Sequence, residues 1–227
     1  AIAGIIECLD RKAGKNIDVS RLFIYYEERV LEGSITQDAG AYIRDGIKVV
    51  NKKGAPLESL WPYNINRFAV RPNQAAYADA LNRKAGSYEK CLNLAAIKNA
   101  LARGFPVVVG FDVYDSFYNI GSDGIMPYPN VNSEQVLGGH AVCVVGYNDN
   151  FPATHDGRLI CRNSWGTVIC QKRTTAISAT GELHHPVSTT PRTRSHPKTK
   201  VPIRIQRHCL GERDGVSCCA RGGGVKQ

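Results

Sequence analysis

The chain has 227 residues, 43% of them hydrophobic and 22% charged, a composition that supports a sizeable packed core. No apolar run approaches the roughly 20 residues that a bilayer-spanning helix needs, which excludes an integral helical membrane protein. The net charge of +9 is unevenly held: residues 1–166 carry 18 Lys and Arg against 17 Asp and Glu, whereas residues 167–227 carry 11 against 3.

The opening stretch, Ala1 to about Arg11, places Ile2, Ile5, Ile6 and Leu9 at helical spacing but has no capping residue ahead of it. It looks like a helix cut open and is too short for a signal peptide, so no targeting signal or compartment is read from it. Ser20 can cap a second helix, RLFIYYEERVLE, which Gly33 stops. A third helix, AYIRDGIKVVNKK, ends at Gly54, and ESLWPYNINRF then carries turn residues without periodicity. A fourth helix, LNLAAIKNALAR, ends at Gly104. After it the pattern turns to strands: FPVVVGFDVY, HAVCVVGY and RLICRN, divided by loops such as GSDGIMPYPN. Helices first and strands later predict an α+β protein with two subdomains, helical over 1–88 and β-rich over 89–166. Beyond Trp165, the last aromatic residue, the chain is basic and poor in apolar bulk. Such a segment buries too little surface to offset its chain entropy, so 167–227 is expected to be a disordered tail.

The residues suited to chemistry cluster late. Gly138-Gly139-His140 opens one strand and Asn163-Ser164-Trp165-Gly166 follows another. A His at a sheet edge, with an ordinary pKa near ~6.5, exchanges protons around neutrality. An Asn carboxamide can fix its tautomer without adding charge, which suits a thiolate–imidazolium pair better than a serine nucleophile. Trp165 is placed to cover that His–Asn bond, and glycines at 138 and 139 allow a peptide to approach the backbone closely.

The run LGGHAVCVVGY, followed 23 positions after His140 by RNSWG, resembles the histidine and asparagine motifs of the papain-like cysteine peptidases. DAGAYIRDGIKVV, ESLWPYN and VVVGFDVYDSFYNIGSDGI are similar to segments of that family in the same order, so the resemblance covers roughly residues 1–166. It implies a papain-like fold, truncated at both ends, with a helical left half and a β-barrel-like right half facing across a cleft. It further implies that His140 acts as general base and acid, that Asn163 orients it and that Trp165 shields the pair. Gly40, Gly138 and Gly139 would line substrate subsites through their backbones. The implied partner is a peptide or protein substrate met by a monomer. No metal, organic cofactor, specific nucleic acid or membrane is called for.

Two departures bear on activity. The family's nucleophilic cysteine starts the first long helix, which here is AIAGIIECLD, so it would lie a few residues ahead of Ala1. Cys8 is a poor substitute: it sits well inside the helix, on the order of 10 Å or more from the required place, where the amides are already bonded. The chain as given is therefore expected to be an inactive fragment of a peptidase, or else a peptide-binding pseudoenzyme, and the residues preceding Ala1 decide between them. The second departure follows Gly166, where the family's aromatic closing strand gives way to the basic tail. A change of material directly after a motif is the pattern that a frameshift, a retained intron or a misassembled gene model produces. The tail's His184, His185, His208, Cys209, Cys218 and Cys219 lack zinc-ligand spacing, and its basic residues lack the interleaved aromatics that nucleic-acid binding uses. Cys143 and Cys161 are packing residues by default, with a disulfide open to them if their strands pair.

Overall fold

The computed structural model describes residues 1–121, 123–150 and 157–164, together with the backbone of two further strands, Thr175–Ser178 and Ser217–Arg221. Five α-helices occur among them. Helix α1 (Ile2–Lys12) begins without a side-chain cap, as its sequence requires. Helix α2 (Arg21–Glu32) has the predicted limits: Ser20 Oγ accepts from Phe23 N at 3.1 Å, and Gly33 closes the helix in the left-handed region at φ 68°. Helix α3 (Ile43–Lys52) starts two residues later than predicted, behind an extended Tyr42 that supplies no side-chain cap. Helix α4 (Gln74–Ala80) was hidden in the sequence because it spans barely two turns. Its signal is Asn73, whose side chain accepts from Ala76 N. Helix α5 (Leu94–Ala102) is capped in the same way by Asn93.

The strands are β1 (Ser87–Cys91), β2 (Val107–Tyr114), β3 (Val136–Asn148), β4 (Arg158–Arg162), β5 (Thr175–Ser178) and β6 (Ser217–Arg221). They form one antiparallel sheet in the order β1-β6-β2-β3-β4-β5. β5 and β6 fall inside the stretch 167–227. Each borrows a partner: β5 pairs with the outer edge of β4, and β6 pairs with both β1 and β2. A composition argument averaged over sixty residues cannot register a four-residue strand that completes an existing edge. The remainder of 167–227 lies outside the described residues.

Three apolar clusters hold the fold. One joins Leu22, Phe23, Tyr25, Trp61, Ala76 and Ala80 within the helical half. A second packs α5 on the sheet through Ile97, Ala100, Val107, Val142 and Leu159. The third unites the halves, with Ile2, Ile5, Ile24 and Ile47 from helices against Val108 and Cys143 from strands. Helix α1 lies flat on the sheet at Gly4, where an added Cβ would stand 3.3 Å from Cys143 Cβ. No helix among the described residues is long and apolar enough to cross a membrane.

Candidate active site

His140 stands within β3, where antiparallel pairing with β2 sets its backbone opposite Phe111, and Gly139 and Gly138 opposite Asp112 and Val113. Both strands are rich in valine, so the imidazole rides on a rigid ladder rather than a loop. Asn163 is the first residue after β4, which pairs with β3 from Asn148–Arg158 to Cys143–Arg162. These two strands carry residues 23 positions apart into contact: His140 Nε2 lies 3.0 Å from Asn163 Oδ1.

The protonation state follows from a second bond. Ser164 N donates to the same Asn163 Oδ1 at 2.9 Å, and a backbone N–H can only donate, so that atom is the carboxamide oxygen. An oxygen acceptor requires a proton on His140 Nε2. In the neutral ring the basic nitrogen is then Nδ1, on the opposite side of the imidazole.

Two aromatic rings enclose the imidazole edge-on. Phe111 has its centroid 5.7 Å away at 87°, and Phe117 is 5.8 Å away at 61°. Burial among them lowers the His140 pKa to about 4; the Asn163 bond opposes the drop, and the amino group of Ala1 adds to it. Neither ring was identified from sequence. Phe111 could have been, since a residue directly opposite His140 on a paired strand shares its face.

Ala1 is thereby located too. Its amino group is buried, which lowers its pKa, and it lies in the field of Cys143, Glu28 and Glu7. The charge at the start of α1 thus acts on the imidazole. Cys8, half-buried and unbridged, is about 10 Å further along that helix, at 1.5 Å per residue. Cys143 and Cys161 form no disulfide: both are buried free thiols on paired strands, but Cys143 faces Arg162 and Cys161 faces Val144. Burial pushes the Cys143 thiol up to about 12 and raises that of Cys161 as well.

Gly40 sits just ahead of α3, whose first residue, Ile43, packs over Gly110 beside His140 on the β2–β3 pair. The amide of Gly40 is already committed, donating to Tyr25 Oη at 3.1 Å while that hydroxyl donates to Asp38 Oδ1 at 2.7 Å. Its N–H is therefore held from within the protein. Trp165 lies outside the described residues, as do the tail's histidines and Cys209. Cys218 and Cys219 belong to β6, of which only the backbone is described.

Residues 26–183 match the profile of the papain family cysteine proteases, well over half of the chain and past the Gly166 boundary. A peptidase C1-like protein of Acanthamoeba polyphaga mimivirus is 43% identical over 159 residues, covering 65% of this chain and 49% of the relative. A cathepsin L-like peptidase of Aedes aegypti is 27% identical over 163 residues, covering 69% and 44%. The chain spans about half the length of these curated relatives. Among solved structures, xylellain, a cysteine protease from Xylella fastidiosa, superposes with a TM-score of 0.71 at 28% identity, over 99% of this chain and 78% of the other. The Carica candamarcensis cysteine protease CMS1MS2, solved with E-64, gives a TM-score of 0.59 at 16% identity over 98% and 86%, a likeness of fold.

Proposed function

The chain belongs to the papain family of cysteine proteases, and on that premise we propose that His140 and Asn163 form the proton-transfer half of a thiol-dependent peptide-bond hydrolase. One observation carries the reading: the 3.0 Å bond from His140 Nε2 to Asn163 Oδ1, with the oxygen identified by Ser164 N. It leaves Nδ1 as the basic nitrogen and orients it without introducing a second charge. Helical residues 1–88 and β-rich residues 89–166 supply the two walls of the substrate site, with the backbones of Gly138 and Gly139 beside the dyad, and Trp165 is assigned the role of shielding it. Gly40 belongs to the same wall as α3, and its carbonyl is the group it offers, since Tyr25 takes its N–H.

The nucleophile in this reading is a cysteine thiolate in the residues preceding Ala1, at the start of α1 and next to the imidazole. It attacks the substrate carbonyl, and the imidazolium gives its proton to the leaving amine to yield a thioester. His140 then takes a proton from water, which attacks the thioester and releases the acid with return of the thiolate. A helix N-terminus favours the thiolate electrostatically. Within the 227 residues given, Cys8 is too far down the helix for that role, so this chain by itself is proposed not to turn over peptides.

The test uses a fluorogenic peptide and two proteins, the 227-residue chain and the polypeptide extended through the residues that precede Ala1. Thiol-reagent-sensitive hydrolysis by the extended protein alone supports the proposal. Hydrolysis by the 227-residue chain would overturn the assignment of the nucleophile. An extended protein that binds peptides without cleaving them is a pseudoenzyme, and the catalytic reading would fall.

A further inference from the structure

Glu7 lies two turns into α1 and is 2% exposed, a carboxylate set between two guanidinium groups. Its Oε1 is 2.8 Å from Arg21 Nη2, and its Oε2 is 2.6 Å from Arg162 Nη2. Burying a carboxylate is costly unless opposite charges compensate it, and burial does raise this carboxyl against the pull of the two arginines. Arg21 is itself held, with Nη1 on Asp18 Oδ1 at 2.7 Å and on the Val19 carbonyl at 3.2 Å.

The three linked residues come from three elements. Arg21 opens α2, Glu7 belongs to α1, and Arg162 is the last residue of β4, one peptide bond before Asn163. Ladder pairing between β3 and β4 stops at Arg162, so the backbone at Asn163 inherits its position from that residue. Helix α1, whose N-terminal charge acts on His140, is tied by Glu7 to the strand end that carries the orienting carboxamide.

We infer that Glu7 is a positioning residue: through Arg162 it sets where the Asn163 carboxamide stands, and hence how the His140 ring faces the start of α1. The inference rests on the reading of His140 and Asn163 as the proton-transfer pair, and it makes α1 a lever whose register and the dyad's geometry are fixed by one carboxylate.

The experiment reads the His140 Nε2–H signal by NMR in the full 227-residue chain, as its rate of exchange with solvent. Asn163→Ala is the reference that removes the acceptor. Glu7→Gln and Arg162→Met should each speed exchange by about tenfold, the scale of one hydrogen bond. Arg162→Lys should restore most of the protection. Arg21→Met cuts the other limb and should lower thermal stability while leaving ring exchange unchanged. Should Glu7→Gln fail to fold, Arg162→Met against Arg162→Lys decides alone. Unchanged exchange in Arg162→Met, or equal acceleration in Arg21→Met, would overturn the inference and reduce Glu7 to a packing element. If Asn163→Ala itself changes nothing, the dyad reading fails first and the inference with it.

Discussion

Phe111 and His140 face each other across β2 and β3, ring centroids 5.7 Å apart and planes at 87°. The arrangement covers the imidazole with an apolar ring where most of its charge would otherwise be solvated. Replacing that ring with a methyl group admits water to the same face. Phe111→Ala should therefore move the His140 midpoint upward from about 4 toward the ordinary 6.5. A rise of about one pH unit is expected, since burial is the main cause of the depression. A titration of the His140 ring protons by NMR checks it, and an unmoved midpoint would assign the depression to other groups.

Stability should depend on pH through two buried groups that act in opposite directions. His140 has its folded pKa lowered from 6.5 to about 4, so its contribution is full above 6.5 and is lost as pH falls toward 4. Glu28 has its folded pKa raised from 4.5 to about 8 by burial, so its contribution is full below 4.5 and is lost as pH rises toward 8. Each changes stability by about 1.4 kcal/mol per pH unit inside its own window. Between 4.5 and 6.5 these two contributions oppose and offset each other, and outside that range each acts alone of the pair. Urea unfolding from pH 4 to 8.5 should show about 2 kcal/mol lost between 6.5 and 8 as Glu28's own share, read as the difference between the native chain and Glu28→Gln. Glu28→Gln should abolish that alkaline fall and leave the acid one.

Two glycines with similar backbone angles should respond differently to the same substitution. Gly14 and Gly54 have φ of 77° and 81°, conformations that cost an L-residue on the order of 1 kcal/mol. An added Cβ at Gly14 meets nothing within 4 Å, but at Gly54 it would stand 1.9 Å from the Ala80 carbonyl oxygen. Backbone cannot rotate aside as a flexible side chain does. Gly14→Ala should cost about 1 kcal/mol and Gly54→Ala roughly 2 kcal/mol more, read from denaturant midpoints. Equal losses would mean that the turn after α3 moves freely against α4.

What could be read from the residues was what depends on local chemistry. Ser20 and Gly33 bound α2 because caps act within one turn, and His140 with Asn163 was recognisable because the runs around them, LGGHAVCVVGY and RNSWG, resemble the family's motifs. What escaped depends on partners far away in sequence. β1 is exposed over most of its length and pairs with β6, more than a hundred residues on, so no apolar run announces it. Phe117 encloses His140 from a turn following β2, and Glu7 reaches Arg162 across 155 positions. Such contacts are products of topology, and spacing carries no trace of them.

If α1 presents its beginning to His140, Cys8 is a bystander whose loss leaves the dyad intact. Cys91, Cys143 and Cys161 are buried, and burial holds the latter two thiols far from ionisation near neutrality. Half-buried Cys8 should therefore be alkylated by iodoacetamide well ahead of those three, since reaction needs both access and thiolate. Cys8→Ser should lower the count of rapidly alkylated thiols by one and leave the His140 titration midpoint within about 0.3 pH units of its original value, well inside the spread a lost partner charge produces. In the extended protein the same substitution should preserve kcat/KM within about twofold, as for a group outside the reacting atoms. A collapse of activity on Cys8→Ser would place the nucleophile inside α1 and force His140 to serve a thiol two turns from where the helix begins.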